Sequence, residues 1–166
     1  RKYEEALRNY ERVLELNDAN VSALFAKGCI NFAQGDYATA RDTFDKALEY
    51  SPDDAALWNN LGNCYHELGD SSMAIELYQE VLQIDPVNVT ALSNYGEALA
   101  ALKKNDEARE YFDKALNLNP GHTTTHFKKG KLLKSLGKKK EAIASFDQTI
   151  YCNENYVSAY LQKGWL

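Results

Sequence analysis

The chain has 166 residues, 45% of them apolar and 26% charged, with a net charge of −5. That balance belongs to a folded chain and excludes disorder, low complexity and collagen-like structure. The longest uninterrupted aliphatic run, Ala98 to Leu102, falls far short of the ~18 to 20 apolar residues that a membrane span needs, and the negative balance disfavours a general nucleic-acid binder.

The chain contains three prolines, Pro52, Pro86 and Pro120, spaced 34 residues apart. Rows of 34 residues starting at Val21, Ala55, Val89, Thr123 and Val157 turn this spacing into a frame. The eighth column then reads Gly28, Gly62, Gly96, Gly130 and Gly164. The twentieth reads Ala6, Ala40, Ala74, Ala108 and Ala142, and the twenty-fourth reads Tyr10, Phe44, Tyr78, Phe112 and Phe146. Gly35, Gly69 and Gly137 share the fifteenth column. A period of this length is the signature of a solenoid or array.

In chain order, residues 1–20 form the second helix of a partial repeat. Complete helix pairs are expected over 21–54, 55–88, 89–122 and 123–156, and residues 157–166 begin a further first helix. In the second row Trp58, Leu61, Gly62, Tyr65 and Leu68 follow helical spacing, then Ala74, Tyr78, Val81 and Leu82 form a second stripe. Gly69-Asp70 makes the turn between them, because glycine accepts the left-handed conformation that ends a helix. Each proline biases the residue before it out of the α region and closes its unit. Glycine inside a helix costs about 0.8 to 1 kcal/mol relative to alanine, so the eighth column predicts close backbone approach, with Gly facing Ala of the second helix and the aromatic filling space between units.

These columns are similar to the tetratricopeptide repeat, a helix-turn-helix unit. The matching residues are Trp58 and Tyr160 in the fourth column, Leu61-Gly62, Tyr65, Ala74 to Tyr78, and Pro86. Leu24, Leu92 and His126 depart from the aromatic fourth column, and Glu154 stands where a fourth proline would fall. The resemblance implies an all-α fold, a right-handed α-α superhelix of antiparallel helix pairs. It implies a protein-interaction scaffold without catalysis or cofactor, whose first helices line a concave groove. The frame is open at both ends, without polar capping helices, so a longer parent protein and self-association through apolar edges are both expected.

Within the implied groove, Asn59, Asn60, Asn63 and Asn94 stand out, since an amide offers donors and an acceptor to the backbone of an extended peptide. The run WNNLGNCYHELGD from Trp58 to Asp70 is similar to repeats in the superhelical arm of O-GlcNAc transferases, where an asparagine ladder holds peptides. The alternative reading is therefore a substrate-recognition arm of a larger enzyme such as a glycosyltransferase. A dicarboxylate clamp of the kind in Hsp70 and Hsp90 co-chaperones would fall on Asn59, Asn63, Asn94, Thr124 and Lys128, which lacks two of the three cations.

Charge is uneven along the chain. Residues 21–88 carry three basic residues against eleven acids, whereas 123–156 carry seven lysines against three acids. Lys128, Lys131 and Lys134 share one helix face and are expected to attract acidic partner groups. The three cysteines, Cys29, Cys64 and Cys152, have neither disulfide-framework nor zinc spacing. With no secretory signal at Arg1 to Glu5, an intracellular, cytoplasmic setting is expected.

Overall fold

A computed structural model of the chain describes residues 2–165. Arg1 and Leu166, which open and close the sequence frame, lie outside the described residues. Among the described residues there are ten helices and no strand. They are α1 (Lys2–Leu16), α2 (Val21–Ala33), α3 (Tyr37–Tyr50), α4 (Ala55–Glu67), α5 (Ser71–Ile84), α6 (Val89–Ala101), α7 (Asn105–Leu118), α8 (Thr123–Ser135), α9 (Lys139–Cys152) and α10 (Val157–Gly164). None is long and apolar enough to cross a membrane. The chain divides after Pro86 into two compact units, one holding α1 to α5 and the other α6 to α10.

In the first unit α2 packs on α1 and α3, and α4 on α3 and α5. Its core is built from Leu24, Ala40, Phe44, Ala47, Leu57, Leu61 and Cys64, with Phe25, Trp58 and Tyr65 against its margin. In the second unit α6 packs on α7 and α8, and α9 on α8 and α10. Leu133, Ala142, Phe146 and Ala159 cluster there, and Phe127 packs against Phe146 and Tyr156 with ring centroids 5.9 and 5.0 Å away.

Gly28, Gly62, Gly96 and Gly130 do allow close approach, and the nearest atoms they face are those of the aromatic ring; at Gly96 the backbone oxygen of the column's alanine, Ala108, also lies within 3.1 Å of a Cβ position. A Cβ on Gly28 would come within 2.6 Å of Phe44, and on Gly62 within 2.6 Å of Tyr78. On Gly96 and Gly130 it would meet Phe112 at 2.9 Å and Phe146 at 2.6 Å. Each ring belongs to the second helix of the same pair and fills the space beside that pair's glycine, and Phe44 also shares its core cluster with Leu57 and Leu61 of the next pair. The ring takes the volume a side chain would need, which offsets the weak helix propensity of glycine.

Helix starts differ between the units. Asn20 and Asp54 accept backbone N–H groups of the first turns of α2 and α4, and Asp36 and Asp70 do the same for α3 and α5. In the second unit Asn88 caps α6, whereas α7, α8, α9 and α10 begin after Lys104, His122, Lys138 and Tyr156 without a side-chain cap bond. The turns use Gly35, Gly69 and Gly137 at positive φ. Lys103 takes the same left-handed conformation, φ 63°, in the corresponding place before α7.

His126 stands in for Trp58. The Trp58 indole Nε1 donates to the Pro52 carbonyl at 2.7 Å, and His126 Nε2 lies 2.8 Å from the Pro120 carbonyl. A carbonyl can only accept, so the imidazole must carry its proton on Nε2 to make this bond. An apparent departure from the sequence pattern thus repeats the same tether to the preceding loop.

Candidate partner-binding site

The polar first-helix positions lie on α4 in the first unit and on α6, α8 and α10 in the second. On α4, Asn60 is half-buried and its Nδ2 donates to the Ala56 carbonyl one turn back at 2.8 Å. Asn63 Oδ1 accepts from the Tyr78 hydroxyl at 2.7 Å, so this amide anchors a ring that is 1% exposed. Asn59 is half-buried on the same helix. The three amides therefore differ: Asn63 serves the helix pair, and Asn60 is steadied by its own backbone.

In the second unit Asn94 is largely buried, at 8% exposure, and its Oδ1 accepts from Lys128 Nζ at 2.5 Å. The same ammonium lies 2.7 Å from Glu97 Oε2, while Lys131 Nζ lies 3.3 Å from Glu97 Oε1. One carboxylate is thus straddled by two lysines of the neighbouring first helix. Lys134 Nζ donates to Gln162 Oε1 at 3.0 Å and stands 5.9 Å from the centre of the Trp165 ring. The structure brings Asn94, Lys128 and Lys131 into one hydrogen-bonded group, and places Lys134 against α10.

The surroundings of Lys128 feel its charge. Burial, then Lys128 and His126, hold the His122 imidazole below its usual range, and His122 Nδ1 lies 2.6 Å from Thr125 Oγ1. Burial and then Glu97 push the Tyr156 phenol up. Elsewhere, burial, followed by the charge of Asp45, pushes the Cys64 thiol up to about 12. Burial also raises the Cys29 thiol. Both cysteines pack in or against the first unit's core and behave as small apolar groups. Among the described residues no cluster of His, Cys, Asp and Glu side chains is arranged to hold a metal.

Sequence reasoning did not assign Glu97 as a partner of the lysines, nor Gln162 as the partner of Lys134. A signal was present: Glu97 precedes Lys131 by 34 residues, one period, as Asn94 precedes Lys128. A second set of pairs was also missed. Lys27–Glu11, Lys129–Asp113 and Lys163–Asp147 close at 3.2, 2.6 and 2.6 Å, each across 16 residues. They join a first helix to the second helix before it. Leu61, at 2% exposure, takes the lysine's column in the second row.

Antiparallel helix pairs repeated in one frame, with a glycine-against-aromatic contact at the heart of each complete pair, define an all-α helical-repeat protein. Tetratricopeptide-repeat family models match residues 1–49 and 25–89, then 89–122 and 123–156. The chain belongs to the tetratricopeptide-repeat family. Its backbone resembles that of TTC0263, a thermophilic TPR protein of Thermus thermophilus, with a TM-score of 0.87 at 18% identity, covering 98% of this chain and 89% of that one. MamA gives 0.75 at 21% identity over 94% and 91% of the two chains. YrrB, described as a TPR protein with an unusual peptide-binding site, gives 0.69 at 24% identity over 98% and 84%. At these identities the likeness is one of fold. Among curated proteins, the peptidyl-prolyl cis-trans isomerase FKBP42 of Arabidopsis thaliana is 38% identical over 61 residues, 37% of this chain and 17% of that protein.

Proposed function

We propose that the chain is a non-catalytic scaffold that binds an extended peptide or partner helix along the first-helix face of its repeats, the concave groove of the family's arrays. The proposed repeat register is 21–54, 55–88, 89–122 and 123–156, with 1–20 and 157–166 as half-units. The observation that carries the reading is the group Asn94, Glu97, Lys128 and Lys131, polar side chains held on rigid helices with Lys131 half exposed. A peptide-binding site in a protein of the same fold supports it. The lysines of α8 favour acidic partner segments by long-range attraction, and Asn60 supplies a neutral contact in the first unit.

The test is binding of a fluorescein-labelled Glu-rich peptide, followed by anisotropy. Lys131→Glu should weaken it at least about tenfold. Asn60→Ala should weaken a neutral peptide of the same length, by less. Unchanged affinity in both variants would remove the site from this face.

One further reading has specific support. A recognition arm within a larger enzyme, a glycosyltransferase or another, is favoured by the isomerase that carries a similar segment over a small part of its length; enzymatic assay of any domain encoded beside this chain tests it.

A further inference from the structure

The lysines that make α8 attractive to acidic segments already hold a carboxylate. Lys128 is 13% exposed at its side chain and divides its donors between Glu97 and Asn94. Glu97 is 26% exposed and presents its second oxygen to Lys131, which is 51% exposed. An ammonium has three donors, so Lys128 keeps one and Lys131 keeps more. Lys134, a turn further along, is matched by the neutral amide and backbone carbonyl of Gln162. The face therefore retains positive charge while its two best-placed ammonium groups are already bridged.

Resting on the groove reading above, we infer that Glu97 is a specificity-determining residue, an internal carboxylate that competes with the ligand's own acids. A tethered group acts at a high effective concentration. A ligand with a single carboxylate must displace Glu97 from Lys128 or sit beside a like charge, and either weakens it. A segment with several acids engages the remaining donors of Lys131 and the charge of Lys134 together, so it gains contacts without removing Glu97. The partner class is accordingly a peptide segment bearing clustered acidic side chains, and isolated acids are rejected.

The experiment compares two labelled peptides of equal length, one with several Glu and one with a single Glu in a Ser/Gly background, on the parent chain and on Glu97→Gln. The variant keeps the side-chain shape and one acceptor oxygen, and circular dichroism verifies its fold; Glu97→Ala serves if it does not fold. The single-Glu peptide should tighten about tenfold and the multi-Glu peptide distinctly less, narrowing the gap between them. If the parent prefers the multi-Glu peptide and the variant binds both with the parent's affinities, the role of Glu97 is overturned while the groove stands. If neither protein binds either peptide, the acidic-segment groove itself falls, and the role of Glu97 with it.

Discussion

At residue scale, one contact organises each complete helix pair, and its strength can be read by substitution. A methyl group at Gly130 would fall 2.6 Å from the Phe146 ring, which is fully buried, and the ring would have to move. Overpacking of this kind costs about 1 to 3 kcal/mol, more than the roughly 1 kcal/mol that alanine returns in helix propensity. Gly130→Ala should therefore lower the urea midpoint. Gly164→Ala meets open space and should leave it unchanged or raise it slightly. Equal effects would show that the rings yield without cost.

His122 supplies a second residue-scale test. Its imidazole is held below its usual range by burial first and by Lys128 second, so the folded chain favours the neutral ring. That contribution is complete above the unfolded value near 6.5 and is lost as pH falls through the folded one. Stability should decline on acidification below neutrality for this reason. In Lys128→Gln the His122 titration, followed by NMR, should move upward towards 6.5 without reaching it, because burial remains. An unmoved titration would separate the two groups.

At the scale of elements, caps distinguish otherwise similar helices. Asp36 and Asp70 cap α3 and α5, whereas Lys104 and Lys138 precede α7 and α9 without a side-chain bond and add positive charge at the positive end of the helix dipole. Lys138→Asp should stabilise the chain by about 0.5 to 2 kcal/mol, seen as a higher thermal midpoint; no gain would mean that water already serves the α9 N-terminus equally well. The helices themselves were legible from sequence because glycine, alanine and aromatic columns recur at fixed places. The facing of Gly62 by Tyr78 was less legible, since a column says that two positions matter and not which of them touch. The fates of Asn63 and Lys128 were hidden for a related reason. A polar residue on an exposed-looking helical position reads the same whether it faces solvent, a tyrosine hydroxyl or a neighbouring carboxylate.

At the scale of the whole molecule, each helix is stabilised by its neighbours along the chain, so stability should be graded and not uniform. Leu16 of α1, and Val157, Leu161 and Trp165 at the other end, are more than half exposed. Amide hydrogen exchange should be fastest in α1 and α10, and slower in α4 and α8, which pack on both sides. Uniform protection across the ten helices would show instead a single cooperative unit.

The recurring ammonium–carboxylate pairs have a consequence for how the molecule is made. Lys129 reaches Asp113 across only 16 residues and Lys131 reaches Glu97 across 34, so each loop that must close is short and its entropy is small. A chain leaving the ribosome at roughly 5 to 20 residues per second exposes α2, α8 and α10, the first helices that carry these lysines, to partners synthesised a few seconds earlier. Assembly can then keep pace with translation, with no segment waiting on a distant one.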